Sequence, residues 1–192
     1  MSRKSALIFA LVGLLWGIPY LFIKVAVDEE TGYAPAIVVF GRVLIGALIL
    51  IPLAIKDRSI FAALRGIKYV AFYAVLEMVI PWILIGTAEQ KISSGLAGLL
   101  IASVPIWSTL ITYFQGDKGA LKANRVLGIG IGFIGVVLIV GIESLTGSSD
   151  PLSIAMVIVA AIAYAYAIIM IRGKLPDVSG IAINGVAMGL TA

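Results

Sequence analysis

Two ionisable side chains, Arg42 and Glu77, stand inside long apolar stretches of this 192-residue sequence. A charge at the centre of a lipid bilayer costs about 2.5–3.5 kcal/mol, so such residues usually face the interior of a helix bundle and have a partner there. One interpretation is an Arg42–Glu77 salt bridge that only joins two helices, or an Arg42 side chain that reaches the outer headgroups. The functional interpretation makes Glu77 a group that takes up a proton or cation and Arg42 a contact for an anion.

The sequence lacks the residues of several common catalytic and metal sites. It contains no histidine and no cysteine, which excludes the Ser-His-Asp triad, the H-E-x-x-H zinc motif and thiolate metal ligands. Positions 130–135 match G-x-G-x-x-G, but no strand precedes them and they lie in an apolar stretch, which argues against a dinucleotide site. We therefore expect no enzyme, no cofactor and no metal site.

Three prolines within apolar stretches could expose polar backbone groups near the middle of a membrane. Each of Pro19, Pro81 and Pro105 removes one helical hydrogen bond and frees the carbonyl four residues earlier, which for Pro81 is the carbonyl of Glu77. Free carbonyls at that depth are tolerated only where they face protein or a water-filled cavity. The prolines therefore suit a central substrate site, although a plain packing kink is the alternative for each.

Aromatic and hydroxyl side chains supply further candidate ligand contacts. The candidates are Trp16, Tyr20, Ser103, Ser108 and Tyr164. A position facing lipid or a neighbouring helix is the alternative for each of them.

Glycines spaced three or four residues apart predict close helix packing, because they allow two helix backbones to approach. The glycines assigned to such contacts are Gly13, Gly17, Gly98, Gly128, Gly132 and Gly135.

Transmembrane helices are the elements that must position all these residues. Apolar residues make up 61% of the chain and charged residues 12%, whereas soluble domains have about 45–50% and 25%. A spanning helix needs about 20 mostly apolar residues. The sequence thus predicts an all-α polytopic bundle with spans at 5–26, 35–55, 69–88, 94–114, 124–143 and 151–171. A seventh segment, from Val178 to Ala192, has only about 15 residues; it is either re-entrant or, as we favour, continued in a longer protein.

The positions of lysine and arginine predict the orientation of these spans. Basic residues concentrate at 3–4, 56–68, 118–125 and 172–174, whereas the alternate connections are mostly acidic and include Glu89. By the positive-inside rule the N-terminus is cytoplasmic and the chain is a multi-pass protein of the plasma (inner) membrane. The net charge of +4 reflects these orientation signals and does not indicate nucleic-acid binding.

A shift of 148 residues reveals a candidate internal repeat, since it places Trp16 on Tyr164 and Lys24 on Arg172. Five helices separate the two copies, and an odd number inverts the second copy in the membrane. Such inverted repeats are found in many secondary transporters. A chance match between two apolar helices is the alternative.

Four short motifs occur in a characteristic order along the chain. They are Leu-Leu-Trp-Gly at 14–17 with Lys24 beyond it, Phe-Gly-Arg at 40–42, Ser-Gly-Leu-Ala-Gly-Leu-Leu at 94–100 before Pro105, and the glycines at 128–135. Together they resemble the drug/metabolite transporter superfamily, in its EamA-type branch. The resemblance implies ten helices in two five-helix inverted repeats, with the first repeat at 1–145 and the start of the second at 150–192. It also implies alternating access, and Trp16, Arg42 and Pro105 match recurrent positions of the family.

We therefore expect a secondary transporter that moves a small metabolite, amino-acid-like or drug-like, across the plasma membrane, with proton coupling through Glu77 as one option. Its partners would be the lipid bilayer, the substrate, and either the rest of the second repeat or a second copy of the chain. The alternatives are a non-transporting membrane scaffold and an intramembrane enzyme with Glu77 as its acid. No nucleophile–base pair supports the enzyme.

Overall fold

The structure of the chain, a computed structural model, describes residues 3–28, 30, 32–140 and 150–192. In the first helix it describes the side chains of residues 7, 8 and 11 and those from 18 onward, and of residues 139 and 140 it describes only the backbone. Every regular element in this part of the chain is helical. The helices are α1 (Arg3–Ala26), α2 (Pro35–Lys56), α3 (Ile60–Arg65), α4 (Ile67–Ala74), α5 (Ile80–Lys91), α6 (Ser94–Ile101), α7 (Val104–Phe114), α8 (Ala123–Val140), α9 (Pro151–Lys174) and α10 (Gly180–Thr191).

Two of the spans are composite helices. A π-helical turn at Val75–Val79 joins α4 to α5, so that Ile67–Lys91 forms one 25-residue span. Helices α6 and α7 together form the span Ser94–Phe114. This second span is interrupted between Ile101 and Val104, because Pro105 starts the first turn of α7 and cannot continue the hydrogen bonding of α6.

The predicted polytopic helical bundle is confirmed. Four described helices are long and apolar enough to cross a membrane, namely Pro35–Lys56, Ile67–Lys91, Ser94–Phe114 and Pro151–Lys174. A rise of 1.5 Å per residue makes the 25-residue span about 37 Å long, which exceeds the roughly 30 Å of the hydrocarbon core. The segments Ala123–Leu138 of α8 and Gly180–Thr191 of α10 are apolar but shorter among the described residues. The predicted ends of the six spans lie within three residues of the helix ends in the structure, except residue 143, the predicted end of the fifth span, which lies outside the described residues.

Helix α9 occupies the centre of the described bundle. It packs against α4, α5, α6, α7 and the π-turn, and it contributes to both apolar cores, with Ala167 and Ile171 in one and Ala160 and Ala161 in the other. Its buried residues are mostly alanines. Small side chains bring neighbouring helices close, which is how helices gain packing contacts in a bilayer that offers no hydrophobic driving force between them.

Glycines hold α2 and α10 together. A Cβ atom built on Gly185 would lie 3.2 Å from the backbone carbonyl carbon of Leu50, and one built on Gly46 would lie 2.2 Å from the sulfur of Met188. Gly189, one turn beyond Gly185, faces Ile51. The G-x-x-x-G pair of α10 is therefore a packing motif, and the sequence analysis did not single it out.

The glycines that were predicted to pack behave differently. Among the described residues, no atom of another element lies within 4 Å of the position where a Cβ would stand on Gly98, Gly128, Gly132 or Gly135. Gly98 borders a large cavity, and Gly128 and Gly132 border a groove of about 460 Å³. Gly13 and Gly17 lie outside the described side chains.

The C-terminal ends of α1 and α9 agree with the internal repeat. Adding 148 to residue 26, the end of α1, gives 174, which is the end of α9. The two buried isoleucines that the shift pairs, Ile23 and Ile171, are each 7% exposed. The number of repeats in the protein and their domain bounds stay predictions.

Replacing Gly185 by valine should separate α2 from α10, because the new side chain would meet the backbone at Leu50. Overpacking of this kind costs about 1–3 kcal/mol. We expect a lower thermal unfolding midpoint in detergent, measured by circular dichroism. The matched control is Gly132→Ala, which adds a methyl group where no neighbour lies within 4 Å; this variant should be as stable as the wild type or slightly more so. Equal stability of the two variants would contradict the assigned α2–α10 contact.

Candidate functional site

A cavity of about 880 Å³ lies among α1, α2, the π-turn, α5, α6, α7, α9 and α10. Most of its wall is apolar. The polar or aromatic residues that line it are Tyr20, Arg42, Glu77, Trp82, Ser94, Tyr164 and Asn184. The cavity thus collects both predicted intramembrane charges at one place inside the bundle.

Four of the predicted contact residues line this cavity, namely Tyr20, Arg42, Glu77 and Tyr164. Pro19 and Pro105 also border it. Ser103 and Ser108 do not, and the Ser103 hydroxyl is engaged locally: it donates to the Leu100 carbonyl at 2.5 Å and accepts the indole N–H of Trp107 at 3.0 Å.

The remaining predicted residues have separate outcomes. The Trp16 side chain lies outside the described part of α1. Pro81 is the second residue of α5, two positions after the π-turn, and its role as a helix kink stays a prediction.

Arg42 stacks on an aromatic ring. Its guanidinium carbon lies 3.8 Å from the centre of the Trp82 ring, a cation–π contact that helps to keep a cation inside an apolar bundle. Arg42 also interacts electrostatically with Tyr164, Tyr20 and Glu89. The guanidinium therefore faces the cavity from a position fixed by Trp82.

The suggested Arg42–Glu77 salt bridge is absent, although both residues line the same cavity. Arg42 comes seven residues after the start of α2, which is about 10 Å along the axis, whereas Glu77 is fourteen residues, or about 21 Å, from the end of α5 at the same face of the bundle. The sequence-based estimate placed the two charges at similar depth. The longer Ile67–Lys91 span moves Glu77 deeper, and this explains the difference.

Glu77 stands on the π-turn and keeps one carboxylate oxygen, Oε2, buried without a hydrogen-bond partner. Close by, the Tyr73 hydroxyl donates to Oδ1 of Asn184 at 3.2 Å, and the amide nitrogen of Asn184 donates to the Gly180 carbonyl at 2.9 Å. These two bonds fix the amide of Asn184 in the cavity wall. Glu77 is thus the group with free hydrogen-bonding capacity at this depth.

Glu89 is the main site feature that the sequence analysis missed. It was assigned to an acidic connection, but α5 continues to Lys91 and the Glu89 side chain is 0% exposed. Both of its carboxylate oxygens are buried, with no hydrogen-bond partner among the residues that the structure describes. This burial was hard to predict, because the run Glu89-Gln90-Lys91 looks like the polar end of a span.

Lys24 closes the end of α5. Its ammonium group donates to the backbone carbonyls of Glu89 and Gln90, the latter at 3.1 Å. The last carbonyls of a helix have no hydrogen-bond partner within the helix and carry the negative end of its dipole. A lysine at this position donates hydrogen bonds to these carbonyls and places a positive charge next to the dipole. A second contact ties α1 to α6, because the Ser94 hydroxyl donates to the Tyr20 carbonyl at 3.2 Å.

Comparison with known protein families gives one match: residues 3–141 match the EamA-like transporter family. The match includes α1 to α8, and so it covers most of the helices that surround the cavity. No solved structure matches the chain.

Three bacterial proteins illustrate the similarity. The chain is 28% identical over 127 residues to the Uncharacterized transporter YdfC of Bacillus subtilis, covering 65% of this chain and 40% of that protein. It is 23% identical over 160 residues to the Uncharacterized inner membrane transporter YedA of Escherichia coli, covering 83% and 50%. It is 25% identical over 148 residues to an Uncharacterized transporter of Clostridium kluyveri, covering 73% and 47%. The chain thus spans about half the length of the curated relatives that it matches.

Replacing Lys24 by methionine should destabilise the junction of α1 and α5, because two carbonyls lose their donor while a buried carboxylate loses a nearby positive charge. We expect a loss of about 1–3 kcal/mol, measured as a lower unfolding midpoint. Lys91→Met is the matched control, since Lys91 belongs to the same helix end but is exposed. Equal effects of the two changes would contradict a specific role for Lys24.

Proposed function

This chain is a member of the EamA-like transporter family, and we propose that it forms part of a secondary transporter that moves a small metabolite by alternating access. The proposal rests on the cavity, because charged side chains border it. A charged side chain inside a membrane is costly, and it usually marks the path of a substrate or an ion. Transport, rather than catalysis, also agrees with the names of the relatives.

The volume and chemistry of the cavity suit a small polar ligand. Ligand sites are typically about 300–1,000 Å³ and mostly apolar, with a few polar groups that fix orientation, and this cavity has about 880 Å³. Arg42, held by Trp82, provides a contact for an anionic group such as a carboxylate. Glu77 provides a contact for a substrate amine or for a coupling proton. An amino-acid-like or drug-like metabolite is the substrate class that we propose.

The proposed mechanism uses an inverted repeat. Helices α9 and α10 would begin the second repeat, and a full second repeat, or a second copy of this chain, would complete the transport path. In such carriers one repeat moves against the other around a fixed site near the middle of the membrane. The C-terminal ends of α1 and α9, at Ala26 and Lys174, are separated by the same 148 residues, which supports this view.

The proposed location is the plasma membrane with a cytoplasmic N-terminus, as the distribution of lysine and arginine indicates. Single cysteines introduced at Arg58 and Lys118 should then be protected from a membrane-impermeant thiol reagent in intact cells, whereas cysteines at Glu30 and Asp150 should react. The chain has no native cysteine, so the background is clean. Labelling of all four positions from the same side would contradict the topology.

Glu77→Gln should abolish coupled flux, because glutamine keeps the shape of the side chain but cannot bind a proton or pair with an amine. The measurement is uptake by proteoliposomes that contain the full-length protein, with candidate amino acids supplied under an imposed proton gradient. Glu30→Gln is the control, since Glu30 is exposed and lies outside the cavity. Both variants should insert and unfold like the wild type.

The other outcomes separate the competing functions. Undiminished flux in Glu77→Gln would assign that residue a structural role. No flux with any candidate, together with turnover of a lipid substrate that needs Glu77, would favour an intramembrane enzyme over a transporter.

A further inference from the structure

Glu89 lies one helical turn beyond the cavity. Residues four apart on a helix share a face, and Ile85, four residues before Glu89, lines the cavity wall. On α1 the same relation connects Tyr20, which lines the cavity, with Lys24. Lys24 and Glu89 therefore form a layer about 6 Å further along the helix axes than Tyr20 and Ile85. This layer closes the cavity at the end where α1 and α5 terminate.

Among the described residues the Glu89 carboxylate has no hydrogen-bond partner, although Glu89 is 0% exposed. The Lys24 ammonium is close, but its two hydrogen bonds go to backbone carbonyls and not to the carboxylate. A buried carboxylate that stays ionised without hydrogen bonds is costly by several kcal/mol. Such a group is stable when it carries a proton or a bound cation.

A proton fits this place better than a metal ion. A metal ion needs several oxygen ligands, and the carbonyls of Glu89 and Gln90 at this helix end already accept hydrogen bonds from Lys24. Among the described residues no group of three or more acidic side chains could hold a metal ion. A proton requires neither space nor further ligands.

Glu89 is linked to the cavity by charge. The described titratable groups at this end of α5 and on the elements packed around it are Lys91 of α5, Lys24 and Tyr20 of α1, Arg42 of α2, and Tyr164 and the N-cap residue Asp150 of α9. Of the two cations that act on Glu89, Lys24 has the larger effect and Arg42, which lines the cavity, the smaller. Charge at Glu89 therefore acts on the same cavity in which Arg42 would hold an anion.

We propose that Glu89 is a proton-binding site at the closed end of the cavity, and that a proton there favours the binding of an anion at Arg42. The proposal rests on the proposed function, since it assigns the coupling ion of the same cavity. The physical basis is repulsion between like charges: an ionised Glu89, one helical turn beyond the cavity wall, would repel a carboxylate bound at Arg42. A proton on Glu89 removes this repulsion, and by reciprocity the bound carboxylate raises the affinity of Glu89 for a proton.

The first test detects the proton without transport. Infrared spectra of the purified full-length protein, titrated from neutral to alkaline pH, record the carbonyl stretch of protonated carboxylic acids. An exposed glutamate is ionised at neutral pH, so only enclosed groups give this signal. We expect Glu89→Gln to lose one component of the band, and Glu30→Gln to keep the whole band. If Glu89→Gln fails to fold, Glu89→Asp should move that component instead. A band unchanged in the folded variant overturns the proposal.

The second test measures the linkage. Sodium acetate, a minimal carboxylate, is added to the protein in weakly buffered solution, with sodium chloride as the control. The wild type should take up protons with acetate only, and both Glu89→Gln and Arg42→Gln should lose this uptake. Uptake that persists in Glu89→Gln, or that is absent from the wild type, overturns the linkage. If both tests succeed but no candidate substrate is transported, the proposed transport is refuted while the proton site stands.

Discussion

The exclusion of water from the bilayer core is the constraint on which the rest of this structure depends. Backbone groups must then bond within helices, and charged side chains must face the protein interior. The lipid side of the bundle is accordingly apolar: α2 alone exposes Ile37, Ile45, Leu48 and Ile49. Arg42 and Glu77 accordingly face the cavity. The position of the cavity and the chemistry of its wall follow from the same requirement.

The spans could be predicted closely because length and apolar composition are nearly sufficient in a membrane. How the spans pack against one another could not be predicted in this way. Arg42 and Glu77 were both recognised as intramembrane charges, but their pairing depended on depth, and a shift of a few residues in one helix end was enough to separate them. Glu89 was assigned to a connection for the same reason, since its burial depends on α1 and α6, which the local sequence does not reveal.

Glycine spacing shows a second limit of the same kind. The glycines of α8 and those of α10 follow the same small-residue pattern, but within the part of the chain that the structure describes only the latter contact a neighbouring helix, at Leu50 and Ile51 of α2. The pattern identifies the helix face that carries small residues, but it does not show which element packs against that face. The central position of α9 could not be predicted either, because the sequence of an alanine-rich apolar helix does not show how many helices surround it.

The π-turn at Val75–Val79 has a geometric consequence for the cavity. In an uninterrupted α-helix, side chains five residues apart point about 140° away from each other, since each residue turns the helix by about 100°. A π-turn closes its hydrogen bond one residue later and turns less per residue. It therefore reduces the angle between the Glu77 carboxylate and the Trp82 indole below that of a regular helix. Both side chains line the same cavity, so the winding of the backbone contributes to this arrangement together with the surrounding side chains.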